Sequence, residues 1–225
     1  MDMMTEGRGA EVLPFIRERT SMRHGIIEEV RAYWEALRQD GQIPLRTQVD
    51  PRGIENALEH AFVLERIAPG LARLRVAGMH LNDIMGMEVR GMPLSSLFLP
   101  EARDMLGRLL EGVFITPHVA ELGLRAPGGI GRPAMGGALL LLPLRDARGE
   151  ISRALGCLVL EGELGRPPRR LTVTEARTIP LAKPEDTAPS GVAPAAAPAG
   201  FAEPAPGFHH APRPYLRLVK SDTPA

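Results

Sequence analysis

The chain has 225 residues, 44% hydrophobic and 24% charged, the balance of a globular domain and not of a fibre or a fully disordered coil. Lys plus Arg and Asp plus Glu both number 27, so the net basic field that draws a protein to nucleic acid or to an anionic membrane is missing, and neither is expected as a partner. One cysteine, Cys157, excludes an internal disulfide and any CxxC zinc or redox pair, which suits a reducing compartment and an expected cytoplasmic location. No stretch reaches the roughly 20 apolar residues of a membrane span. Charges at Glu6, Glu11 and Arg17 interrupt the apolar core that a secretory signal needs.

In chain order, residues 1–25 read as a flexible lead. Ile27, Val30, Trp34 and Leu37 then recur at three- and four-residue steps, which predicts an amphipathic helix over 26–40 stopped by Gly41. That stripe has to be buried, either on its own domain or in a dimer seam. Asp50 followed by Pro51 predicts a capped short helix ending near Glu59. The period then changes. Residues 61–66 and 71–77, parted by Pro69 and Gly70, predict a hairpin.

Residues 78–98 hold brief helical turns broken by Gly86, Gly91 and Pro93, with Asn82 and Asp83 placed to cap one of them. After Pro100 comes the most regular helix, with Ala102, Met105, Leu106, Leu109, Leu110 and Val113 on one stripe and Glu101 and Asp104 in its first turn. Three strands follow, at 118–125, 138–142 and 154–161, linked by glycine-rich turns. Because Leu139 to Leu142 has no polar alternation, that strand should be covered on both faces. Residues 166–213 read as a Pro/Ala-rich disordered linker and 214–225 as a short C-terminal element with strand-like Tyr215, Leu216, Leu218 and Val219.

Chemistry is sparse. Gly129, Gly131 and Ala134 fit G-x-G-x-x-A, but a dinucleotide fingerprint must end a strand and open a helix. Here Pro133 leads into a strand, which makes the stretch a hairpin loop. His209 and His210 stand in the tail without further ligands. His60, His80 and His118 fall in or beside the core, as structural histidines or as an axial haem ligand. Cys157, among Leu155, Leu158 and Val159, reads as an inert buried thiol. Carboxylates form no acid/base pair, so no catalytic residue, no metal site and no enzyme activity are expected.

The succession strand, strand, broken helices, long helix and three antiparallel strands resembles the PAS fold. The residues carry the likeness further. Trp34, Leu37-Arg38, Gly41-Gln42-Ile43-Pro44, Asp50-Pro51, Phe62-Val63-Leu64 and Arg73-Leu74-Arg75-Val76-Ala77-Gly78 resemble a PAS-like family of mostly alphaproteobacterial regulators. Met85-Gly86-Met87-Glu88-Val89-Arg90-Gly91, Leu141-Leu142-Pro143-Leu144, Leu155-Gly156 and Tyr215-Leu216-Arg217-Leu218-Val219 continue it. Met79 and Met87 depart from the family, which has Thr and a polar residue there.

The resemblance implies an α+β fold over residues 26–165: a five-stranded antiparallel sheet with short helices and one long helix on one face, plus the N-terminal amphipathic helix. It also implies a cavity under the helices, which family members fill with haem, flavin or a metabolite or pack shut. Its lining would be Leu64, Val76, Met79, Ile84, Met85, Phe98, Met105, Leu109, Leu140, Leu142 and Leu158, as a ligand pocket or as ordinary core. No cofactor is required, with haem or a small metabolite as the possible ligand. Flavin photochemistry is not expected, since its reactive cysteine belongs to a helix motif and Cys157 to a strand. The resemblance implies a stand-alone, non-catalytic bacterial module acting through a homodimer or a protein partner, with Ile27, Val30, Trp34 and Leu37 as the interface. A small-molecule sensor is the alternative, and an enzyme on a similar curved sheet the more distant one.

Overall fold

The computed structural model describes residues 13–181, with side chains from residue 24. Six strands form one antiparallel sheet in the order β2-β1-β5-β4-β3-β6. They are β1 Ala61–Ala68, β2 Leu71–Ala77, β3 His118–Ala126, β4 Met135–Arg145, β5 Ile151–Glu161 and β6 Thr172–Pro180. Helices α1 Leu13–Leu37, α2 Met79–Met85 and α3 Pro100–Ile115 complete it with short 3-10 turns. None of the described helices is long and apolar enough to cross a membrane.

The central strands are apolar on both sides because both sides are covered. Phe62, Leu64, Leu139, Leu141, Ala154 and Leu158 point toward α2 and α3 in one buried cluster. Their alternating neighbours Val63, Leu140, Leu142, Leu155, Cys157 and Val159 point the other way, into a second cluster closed by Val30 and Trp34 of α1. The expectation of two-sided cover for residues 139–142 therefore holds, and α1 of the same chain supplies the lid. Strand alternation divides the sequence between two cores.

Local chemistry explains the punctuation. Gly70 turns the β1–β2 hairpin at φ +66, where its N–H donates to the Glu111 carboxylate of α3 over 2.8 Å. Arg66 clamps the same carboxylate, 2.6 Å away, so helix and hairpin are tied at one point. Asp50 caps the Arg52 N–H at 3.0 Å with Pro51 in the first turn, as its sequence predicts. Asn82 differs from its expected role: it lies inside α2, and its side chain accepts from the Val89 N–H at 3.0 Å, closing the loop that follows the helix.

Three expectations need correction. The sheet has six strands instead of five, because Thr172–Pro180, placed in the linker 166–213, pairs with β3 from end to end apart from a bulge at Thr174. Only its Pro-rich surroundings suggested a coil. The first helix begins at Leu13, within the expected flexible lead and well before residue 26, as its first half has no apolar stripe to reveal it. Finally, Val30 and Trp34, expected as interface residues, are fully buried against their own sheet. Residues 182–225, including His209, His210 and the Tyr215–Lys220 segment, lie outside the described residues.

Trp34 fixes this arrangement with one directional contact, its Nε1–H donating to the Pro143 carbonyl over 2.9 Å. Trp34→Ala should destabilise the protein by about 3–5 kcal/mol in denaturant unfolding. Trp34→Phe should cost about 1–3 kcal/mol, through the buried carbonyl left without a partner. Burial pushes the Cys157 thiol up to about 12. In native protein it should therefore react with a disulfide reagent only as fast as the chain unfolds; prompt stoichiometric reaction would place the thiol outside the core.

Candidate functional site on the outer sheet face

Beneath the helices, where the resemblance implies a cavity, lies a buried apolar cluster. Leu64, Ile84, Met85, Phe98 and Leu158 are buried in a continuous cluster with Leu74, Leu81, Leu94 and Leu106, and Leu109 packs against its margin. Leu140 and Leu142 belong to the opposite cluster under α1, because they alternate with Leu139 and Leu141. Val76, Met79 and Met105 are exposed, at 51%, 63% and 39%. The first two end the β2 edge and open α2, beyond the covered part of the sheet. The eleven residues thus do not line one pocket.

The three core histidines are each engaged through one ring nitrogen, while His60 Nδ1 and His118 Nε2 are buried without a hydrogen-bond partner among the described residues. His80 Nε2 accepts the Leu160 N–H at 3.1 Å, and its ring stands edge-on to His60 with centroids 4.4 Å apart. His60 Nε2 lies 3.1 Å from Glu59. His118 Nδ1 is spent on the Thr116 carbonyl at 2.9 Å. Among the described residues, no group of three or more His, Cys, Asp or Glu is placed to hold a metal ion.

Open structure lies on the other side of the sheet. α1 covers β4 and β5, and beside it a cleft of about 420 Å³ exposes the surface of β3, β4 and β6. Its floor is made of Gly123, Gly136 and Ala138, residues too small to fill the space, and of the Gly137 backbone between them. Its rim carries Glu28 and Arg31 from α1, Glu121 from β3 and Glu175 and Arg177 from β6. Arg31 bridges to Glu121 directly and to Glu28 at 3.4 Å, so the helix is tethered to the sheet across the cleft. Of the expected interface residues, Ile27 reaches this cleft, and Ile27 and Leu37 are half-buried.

The cleft ends on β6, the last described strand of the sheet. At the opposite end of the sheet β2 is occupied, since Leu74 exchanges main-chain bonds with Gly91 and Met92 at 2.7 and 2.9 Å. β6 pairs with β3 on one side and with no described strand on the other. Residues 174–178 along it are exposed.

A second charged cluster shares this face but is fully paired. Glu65 of β1 sits between Arg73 and Arg153, its cross-strand partners at 2.8 Å each, with Arg75 at 2.5 Å. The Arg75 hydrogen bond above all, with Arg73 and Arg153, holds the Glu65 carboxyl down at about 2 against the opposing effect of burial. Sequence reading missed this group because its members lie on three strands whose register no local pattern reveals.

A PAS domain model matches residues 22–159, over half of the chain. The chain belongs to the PAS domain family. Solved structures resemble this PAS chain more distantly. One is a light-oxygen-voltage domain studied with a flavin analogue, at 16% identity over 50% of this chain and 84% of that one, with a TM-score of 0.38. The light-state Aureochrome1 LOV photoreceptor has 13% identity over 50% and 88%, TM-score 0.34. An RNA-binding light-oxygen-voltage receptor has 16% identity over 69% of this chain and 36% of that one, TM-score 0.35. No curated protein matches.

The buried His60–His80 contact gives this PAS domain a pH limit. Burial, and then the facing His60, lower His80 from 6.5 to about 4. An unfolded chain takes up that proton near 6.5 and the folded one does not, so stability is whole above pH 6.5 and falls as pH drops toward 4. Denaturant unfolding of His80→Gln should lose that part of the slope. An unchanged slope would show that His80 is not the group responsible.

Proposed function

We propose that the protein is a non-catalytic bacterial PAS regulator of the cytoplasm that acts by association with a second copy of itself, edge to edge along β6. The observation that carries this reading is the strand's own sequence. Around Ala176 the order Thr174-Glu175-Ala176-Arg177-Thr178 reads alike in both directions except that the charges are opposite. Antiparallel pairing about a two-fold axis at Ala176 sets Glu175 of each copy against Arg177 of the other. Thr174 then faces Thr178. Opposite charges and threonines directly across an antiparallel pair are both stabilising, and such a contact is isologous and closes at two copies. Main-chain pairing supplies affinity and the charges fix the register.

The reading also suits what surrounds the edge. An exposed strand edge is a liability unless something pairs with it, even where a bulge interrupts the strand, as one does at Thr174 of β6. The cleft beside it has both charge signs on its rim, as a surface that meets its own copy requires. The non-catalytic part rests on where the charged groups are engaged: Glu65, Glu111 and Glu121 are all held in arginine pairs that brace the fold. A small-molecule sensor is the second reading, favoured by an arginine-lined pocket at the other end of the β6 connection.

Sedimentation of Glu175→Arg, Arg177→Glu and the double exchange tests the first reading. Each single variant places like charges together across the axis and should weaken the dimer about tenfold or more; the double exchange should restore it. Trp34 emission during thermal unfolding checks that each variant is folded. A monomeric parent, or singles that dimerise like the parent, overturns the proposal.

A further inference from the structure

We propose that the pocket between the β3–β4 loop and the β5–β6 crossover binds a phosphate-bearing anion. The pocket has a volume of about 340 Å³ and is walled by Arg132 from the loop and by Arg166, Arg169 and Arg170 from the crossover, with Gly128 and Gly129 on its floor. Four guanidiniums around one space is an expensive arrangement unless an anion shares it.

Pairing elsewhere in the molecule makes the contrast clear. Arg31, Arg38, Arg66, Arg73, Arg75 and Arg153 each meet a carboxylate within 3.4 Å. Among the described residues none of the four pocket arginines has such a partner. Arg169 is 1% exposed, and its guanidinium donates only to main-chain carbonyls: Leu164, Pro127 at 3.2 Å and Pro133 at 2.5 Å. Those dipoles satisfy its N–H groups and leave its full charge in place. Burial first, and then the nearby Arg132, lower the Arg169 pKa, the direction expected of a cation that lacks a counter-charge.

The site is built, not a loose surface patch. Arg166 N–H bonds the Gly131 carbonyl at 2.9 Å, and Gly129 and Arg132 exchange main-chain bonds at 2.7 and 3.0 Å, which fixes the loop against the crossover. Arg169 N–H bonds the Ile84 carbonyl at 2.7 Å and Leu171 exchanges bonds with Leu97 and Leu99, at 2.9 and 2.8 Å, so the crossover is fastened to the helical layer. Arg132 and Arg170 are half-buried and Arg166 is exposed, which leaves their forks available to an incoming ligand. Planar guanidinium forks match phosphate oxygens two at a time, which favours phosphate over a halide or a single carboxylate. Leu99, Pro168 and the fully exposed Ile130 add apolar surface at the rim, suited to the organic part of a phosphate ester or to a lipid beneath its headgroup.

Titration calorimetry of the full chain with inorganic pyrophosphate at low salt tests the site. One saturable site is expected, weakened about tenfold by Arg166→Gln or by Arg170→Gln, weakened by added salt and unaffected by the remote Arg90→Gln. Amide NMR shifts of the unsubstituted protein give an independent location, expected at 128–132 and 165–170. Flotation with phosphatidylglycerol vesicles separates the sources. Pyrophosphate binding that blocks any vesicle capture assigns a soluble phosphate. Vesicle capture lost in Arg170→Gln, with no pyrophosphate binding, supports the same site with a lipid headgroup as its anion. No binding to either, equal affinity in both pocket variants, or shifts elsewhere overturns the proposal. The outcome is separate from self-association, which sedimentation without pyrophosphate reads alone.

Discussion

The double-sided burial of β4 and β5 is the constraint on which the rest of this molecule depends. A strand that is apolar on both faces cannot be left with one face in water, so the helical layer alone does not make a stable domain. α1 is the missing half. Its Trp34 is placed by a hydrogen bond to Pro143, a residue that cannot donate to the sheet and would ordinarily be unwelcome in an interior strand. Here the proline's carbonyl is used to aim the largest side chain in the second core.

That solution leaves part of the sheet uncovered. A single helix is about 10 Å wide, whereas neighbouring strands lie about 4.8 Å apart, so α1 closes β4 and β5 but not β3 and β6 as well. Glycine at 123 and 136 lowers the floor that remains instead of filling it. Arg31 then holds the helix margin to Glu121. Among the described residues the outer face is consequently divided between a sealed core and a charged cleft that runs onto the edge strand β6.

Much of the fold was legible because its signals were local and redundant. Pro100 with the Ala102, Leu106, Leu110 and Val113 spacing could only be a helix. The Pro69-Gly70 punctuation and the polarity-free run from Leu139 to Leu142 were as plain. What failed was the assignment of faces. The resemblance groups Leu140 and Leu142 with Leu158 as pocket lining, whereas strand alternation puts Leu158 on the helix face and the other two under α1. Met105 was read as part of a broad stripe, while the buried stripe is the narrower one ending in Val113 and Phe114. β6 was missed for a different reason. Its Thr, Val and Ile are good strand formers, but Pro167 and Pro168 before it, Pro180 at its end and Pro184 after it suggest a coil. The arginine pocket had no linear signature at all, since Arg132 joins the others only once the crossover folds across the sheet.

The crossover also connects the two unassigned surfaces. Residues 162–171 leave β5, pass the helical layer where Arg169 and Leu171 are fastened, and continue directly into Thr172 at the start of β6. Any group that binds the arginines acts on the anchor of the edge strand. If the bound anion has different affinities for two settings of that anchor, pairing along β6 must in turn alter affinity for the anion by the same factor, since coupling free energy is shared by both sites. On the proposed reading, input and output need no route through the apolar core, because the ten residues 162–171 join the two surfaces directly.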